Sequence, residues 1–155
     1  MITDALLKSV YLFADLDAGQ REEFAKIAEA VRLPAGYMIF TAGDAATALY
    51  LIQDGTVRIT TSSPGAKTID VATLGSGSHF GEMALIDGAR RSATAQALEA
   101  TAVFRFDYDK VRALLERSPA IAAAFYRSLA RFLSNRLRQT TTDMGYAREK
   151  NLRYF

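Results

Sequence analysis

Residues 80–95 read FGEMALIDGARRSATA, and this stretch gathers the groups an anion and a neighbouring hydroxyl pair would need. Gly81 lets a backbone approach a bound molecule closely. Glu82 supplies a carboxylate, a fixed acceptor for hydroxyls. The apolar run Met83, Ala84, Leu85, Ile86 predicts a short helix, whose first N–H groups and positive dipole end face outward. A turn at Asp87-Gly88 leads to Arg90 and Arg91, and a guanidinium presents a planar fork of donors that matches phosphate oxygens. Ser92 adds a hydroxyl and another N–H. Two adjacent arginines alone would read as solvated charge on a turn between strands. Gly81-Glu82 at one end and Arg91-Ser92-Ala93-Thr94 at the other give the stretch the pattern of a binding site.

Such a stretch must be carried by a rigid frame. From Tyr37 to Phe106, short apolar or β-branched runs alternate with turn residues: YMIF and AGD, LYLI and QDG, TVRITT and SSPG, KTIDVATL and GSGS, then SATAQALEA and TAVFRFD. Strands at this spacing predict an antiparallel sandwich or barrel. Asp54-Gly55 predicts a tight hairpin, and Ser62 to Gly65 a looser one. Before the strands, residues 4–13 are apolar at helical spacing, and a second helix is expected from Ala18 to Val31 with Asp17 as its N-cap and Phe24, Ile27 and Ala28 inward. Pro34 and Gly36 end helical character.

After the strands, Asp107 is expected to cap a helix reaching Arg117, and Pro119 to open a long helix to Gln139. Its apolar stripe is Ile121, Ala122, Phe125, Leu129, Phe132 and Leu133, with Arg127, Arg131, Ser134 and Arg138 opposite. Arg136 falls near the apolar side, where it could snorkel, reach a ligand or reach a partner. Thr140 to Thr142 are expected to interrupt the helix, and Asp143 to cap a short final helix before the terminal NLRYF.

The stretch at 80–95 resembles the phosphate-binding cassette of cyclic-nucleotide-binding domains, the family of catabolite activator proteins, protein kinase A regulatory subunits and cyclic-nucleotide-gated channels. The motifs F-G-E-x-A-L-I and R-S-A-T stand at that family's separation. Gly36, Gly43-Asp44, Tyr50, Ile52, Gly55 and Val57 extend the likeness, which covers residues 12–137. The resemblance implies an α+β, mainly β fold: an antiparallel jelly-roll barrel (36–106) with N-terminal helices (1–35) and, in 107–155, a hinge helix and a long lid helix, all in one domain. It implies a ligand site of Phe80, Gly81, Glu82, Met83, Ala84, Arg91, Ser92, Ala93 and Thr94. Glu82 would accept from a ribose 2′-hydroxyl, with Gly81 on the ribose side. Arg91 and the N–H groups of Ala84 and Ser92 would bind the cyclic phosphate. Arg90 would turn to solvent or a surface carboxylate. Thr94 could face the base or serve only as a strand residue. Phe125, Leu129, Phe132 and Arg136 are candidate lid residues, although the same stripe could pack on the barrel or against a second copy. The implied ligand is cAMP ahead of cGMP, with cyclic di-GMP ranked below both.

Composition narrows the alternatives. The 155 residues are 50% hydrophobic, with no cysteine and one histidine, so thiol catalysis, zinc–thiolate sites and His-rich metal centres lack their groups. His79, in a polar glycine-rich loop, is expected at the surface. No catalytic residue, metal or cofactor is expected, and the start of the chain has no secretory pattern, so a cytoplasmic, membrane-free protein is expected. Seven of the 19 basic residues and two of the 17 acidic ones fall in residues 127–155, so a mildly acidic body carries a basic C-terminal segment. That segment reads as a solvated face or as a dock for an acidic protein partner. The 16 residues after Gln139 are too few for a helix-turn-helix, so no DNA partner is expected. The expected function is a stand-alone sensor that relays nucleotide binding through its C-terminal helices. The alternative is an interaction scaffold on the same fold that needs no nucleotide.

Overall fold

Helix starts follow local side-chain chemistry. In the computed structural model, which describes residues 1–63, 65 and 67–153, Thr3 caps helix α1 (Asp4–Ser9) by accepting from the Leu6 N–H at 3.2 Å. A 3-10 turn follows at Tyr11–Phe13. Helix α2 (Ala18–Ile27) begins with a capping box: the Asp17 carboxylate accepts from Gln20 N at 2.8 Å, and the Gln20 amide accepts from Asp17 N at 3.0 Å.

The expected extension of α2 to Val31 is wrong. Residues Ala28–Leu33 form strand β1, paired antiparallel with β8 (Thr101–Asp107) from Ala28↔Phe106 to Leu33↔Thr101. Six ladder positions outweigh the weak helical preference of AEAVRL, as tertiary pairing commonly does.

The remaining strands are β2 (Met38–Phe40), β3 (Ala48–Asp54), β4 (Val57–Ser62), β5 (Thr68–Leu74), β6 (His79–Phe80) and β7 (Thr94–Ala97). All pair antiparallel, in two four-stranded sheets ordered β1-β8-β3-β6 and β2-β7-β4-β5. The Asp54-Gly55 turn is as expected. Gly55 has φ +104°, and a Cβ there would stand 2.5 Å from Thr101 Oγ1. Of the looser hairpin tip, Pro64 lies outside the described residues, as do Tyr154 and Phe155 of the terminal NLRYF.

The central strands β3 and β8 of the first sheet carry buried residues on both faces, and the alternation of side chains sorts them. Leu49, Leu51, Phe104 and Phe106 face the helices, while Ile52 and Val103 join Leu33, Val57, Phe80, Ala95 and Ala97 between the sheets. On the helical side Phe13, Phe24, Phe106 and Phe125 interlock, with ring centroids 5.0 Å apart for Phe13–Phe24 and 5.3 Å for Phe24–Phe125. Short helix α3 (Met83–Asp87) lowers Ala84 and Leu85 into the same core as Tyr108, Val111 and Leu115 of helix α4 (Tyr108–Arg117), which Asp107 caps.

Helix α5 (Pro119–Arg153) is one uninterrupted helix of 35 residues, not two. Thr140, Thr141 and Thr142 do not break it; each hydroxyl turns back along the helix and donates to the carbonyl four residues earlier, on Arg136, Leu137 and Arg138, at 2.9, 2.9 and 3.1 Å. No helix among the described residues is long and apolar enough to cross a membrane.

Candidate functional site

A cleft of about 150 Å³ opens between the cassette, the inner strands and α5. The cassette supplies Phe80, Gly81, Glu82, Met83, Ala84, Arg91, Ser92 and Ala93 to its lining, so eight of the nine expected site residues converge there. Phe40, Ile59 and Leu74 enter from β2, β4 and β5, and Phe132 and Arg136 from α5. Thr94 is the exception. Its hydroxyl accepts from Ala42 N at 2.9 Å, so it ties two loops together at the start of β7 and does not line the cleft.

Gly81 sets the geometry. Its φ is +82°, and a Cβ there would stand 2.8 Å from Arg91 Nη1 and 3.2 Å from the Ala48 carbonyl. Only glycine therefore lets Arg91 lie against the backbone. The Arg91 main chain is clamped by the Gly43-Asp44 turn, with Arg91 N donating to Asp44 O at 2.9 Å and Gly43 N to Arg91 O at 2.8 Å. The Asp44 carboxylate holds that turn through Thr41 N at 2.9 Å. Gly88, at φ +67°, closes α3, and its N–H reaches Ala84 O at 2.9 Å.

Arg91 is buried at 7% exposure, with its guanidinium 4.0 Å from the centroid of the Phe40 ring. Its Nη1 donates to Gly81 O at 3.0 Å and Tyr108 Oη at 3.2 Å, and Nη2 to Ala48 O at 2.5 Å. Its Nε is buried with no hydrogen-bond acceptor among the described residues. Glu82 is 6% exposed, and its Oε2 makes no hydrogen bond among the described residues, its near neighbour being His79 Nδ1 at 3.4 Å. Unmet hydrogen-bonding capacity on a buried polar atom is costly, so such atoms are expected where a bound molecule supplies the missing partner. Arg90 is exposed to solvent, as expected, and also donates to Gly43 O at 3.1 Å at the edge of the cleft.

Three aromatic side chains at the site were not anticipated, beside the apolar wall of Ile59 and Leu74. Tyr108, the first residue of α4, is buried and donates its hydroxyl to Gly81 O while accepting from Arg91. Burial pushes its phenol above the ordinary value, and the Arg91 charge pulls the other way. The alternation Phe104, Phe106, Tyr108 was the available signal for its inward position. Phe40, from the YMIF run, is the second. His79 is the third, and here the expectation of surface exposure is wrong. It is 6% exposed, its ring lies 4.3 Å from that of Phe132, and its Nδ1 stands 3.4 Å from Glu82 Oε2. Pairing of β6 with β3 at Leu51↔His79 turns it inward.

The candidate lid divides. Phe125 and Leu129 are fully buried in the helical core and do not line the cleft. Phe132 and Arg136 do, with the Arg136 guanidinium 5.5 Å from the Phe132 ring centroid. Two further helical turns along α5 change what the same stripe meets.

The comparisons with known proteins agree with this architecture. The cyclic AMP receptor protein of Thermus thermophilus is 41% identical over 114 residues, which are 72% of this chain and 50% of that protein. The cAMP-dependent protein kinase regulatory subunit of Schizosaccharomyces pombe is 34% identical over 74% of this chain and 27% of its own length. An uncharacterized NTE family protein of Mycobacterium bovis is 33% identical over 84% of this chain and 22% of its own length. The chain thus spans half or less of these relatives. The crystal structure of the Thermus thermophilus catabolite activator protein superposes with a TM-score of 0.77 at 32% identity, covering 86% of this chain and 61% of that one. The sequence model of the cyclic nucleotide-binding domain matches residues 30–118, more than half of the chain, which therefore belongs to the cyclic nucleotide-binding domain family.

Proposed function

We propose that this chain is a non-catalytic sensor of a cyclic mononucleotide, cAMP in preference to cGMP, and that its C-terminal helices pass occupancy of the cleft to a partner protein. The observation that carries the reading is a pair of buried side chains of opposite charge type lining one cleft, Glu82 and Arg91, the latter with an unpartnered Nε. A cyclic phosphate supplies acceptors to Arg91 and to the N–H groups of Ala84 and Ser92. A ribose hydroxyl supplies a donor to Glu82. Such binding uses the chain's own groups, without metal or cofactor. The preference for cAMP is supported by the names of two relatives, a cyclic AMP receptor protein and a cAMP-dependent kinase regulatory subunit.

The relay follows from contacts at Arg91. A phosphate competes with Tyr108 Oη, Gly81 O and Ala48 O for the guanidinium donors, and Tyr108 begins α4. Ligand that favours one arrangement of these bonds shifts α4 and, with it, α5. Phe132 and Arg136, not Phe125 or Leu129, then close on the base. Beyond Asn135, the described side chains of α5 are exposed, and Leu137 and Met144 stand at 67% and 60%. Tyr126, Ala130, Leu133, Leu137, Thr140 and Met144 recur at alternating steps of four and three. That spacing is the seam of a two-helix coiled coil, and it supports a second copy of this chain as the occupant of that face. The basic residues outside the seam are left for the protein partner.

Titration calorimetry of the nucleotide-free protein with cAMP and cGMP tests the reading. Binding is expected, and Arg91→Ala should weaken it by about 2–5 kcal/mol, the cost of leaving a buried phosphate unpaired. A second reading is a nucleotide-independent interaction scaffold. It is favoured by the three acceptors that Arg91 already has within the protein. Absence of heat with both nucleotides would select it.

A further inference from the structure

His79 and Glu82 form a buried pair with unmet hydrogen-bonding capacity. Neither imidazole nitrogen has a hydrogen-bond partner among the described residues, and neither does Glu82 Oε2. The two meet at 3.4 Å, Nδ1 to Oε2, with side chains 3% and 8% exposed. The His79 backbone is fixed by pairing with Leu51, and its ring is braced by Phe132 of α5 at 4.3 Å. An apolar ring would fill that space equally well. A histidine adds a ring nitrogen beside the carboxylate, able to donate to it after a small rotation.

We propose that His79 is a positioning residue for Glu82: it engages one carboxylate oxygen, so that the other is presented to the sugar hydroxyl, and it links that carboxylate to α5 through Phe132. The proposal rests on the reading that Glu82 receives a ribose 2′-hydroxyl. A carboxylate without the imidazole is free to turn about its terminal torsion, which is broad and soft. Each productive orientation then costs entropy on binding. The imidazole removes that freedom before the ligand arrives.

The test compares His79→Phe and His79→Asn with the wild type, using cAMP and 2′-deoxy-cAMP in titration calorimetry, with melting temperatures to verify folding. His79→Phe keeps a ring against Phe132 and removes the donor. His79→Asn gives up the ring and keeps a donor near the place of Nδ1. The wild type should favour cAMP over the deoxy analogue. In His79→Phe that preference should shrink roughly tenfold, with affinity for the deoxy analogue little changed, as expected for a charged hydrogen bond. His79→Asn should recover most of the preference. An unchanged preference in His79→Phe, or a greater loss in His79→Asn than in His79→Phe, overturns the proposal and makes His79 a packing residue. A wild type that binds the two nucleotides equally, or binds neither, overturns the role of Glu82 and the proposal with it.

Discussion

Replacing Gly81 by alanine should couple energetically to Arg91. Two costs are separable. The first is conformational: at φ +82° an L-residue is strained by about 1–2 kcal/mol. Gly88, at φ +67° with nothing within 4 Å of a built Cβ, carries only this cost, so Gly88→Ala is the control. The second is steric. A Cβ at Gly81 stands 2.8 Å from Arg91 Nη1 and 3.2 Å from the Ala48 carbonyl. Arg91 must then withdraw and weaken its bonds to Gly81 O and Ala48 O, where a charge-assisted bond contributes about 1.5–3 kcal/mol. Gly81→Ala should therefore cost about 2 kcal/mol more than Gly88→Ala. For a chain of this size that is an additional fall in melting temperature of roughly 4–8 °C. In an Arg91→Ala background most of the excess should disappear, leaving only the 3.2 Å approach to the Ala48 carbonyl. Denaturant unfolding of the wild type, both single variants and the double variant measures the coupling directly. Costs that add within about 0.5 kcal/mol would refute the account of Gly81 as the seat of the arginine.

Tyr108→Phe should cost about 1 kcal/mol near neutral pH through lost bonds to Gly81 and Arg91. Burial raises the phenol above its ordinary value of 10.0, so the stability it contributes is whole below pH 10 and declines as pH rises past it. The gap between wild type and Tyr108→Phe should accordingly narrow as pH rises above 10 in denaturant titrations, and a constant gap would count against the burial of the hydroxyl. If α5 pairs with a second copy, sedimentation should give twice 17.0 kDa for the wild type and 17.0 kDa for Leu137→Glu combined with Met144→Glu. Equal masses for the two would remove the seam as an interface.

The cassette was legible because glycine, glutamate and arginine stand at separations that few alternatives share. The barrel was legible because turn residues recur between β-branched runs. Elements decided by distant partners were not. AEAVRL reads as helix until β8 pairs with it, and Thr140 to Thr142 read as a break until their hydroxyls find carbonyls four residues back. The apolar stripe of α5 was visible, but a stripe does not state which turn meets the core and which meets the cleft. His79 looked polar and exposed because its neighbours are glycine and serine, whereas strand pairing at Leu51 decides its direction. The bonds of Arg91 to two backbone carbonyls and to Tyr108 cross separations of 10 to 43 residues, and no local pattern encodes them.

The continuity of α5 gives the protein a mechanical gain. From Arg136 to Arg153 the helix extends about 27 Å past the cleft, at 1.5 Å per residue. The threonine back-bonds lie at three successive positions, about 100° apart around the axis, so their local bends do not accumulate on one side. A stiff arm of that length turns a rotation of about 5° at Arg136 into a sweep of about 2 Å at its tip. A displacement too small to see at the nucleotide would reach the far end magnified, and a glycine pair inserted near Thr141 would act as a clutch.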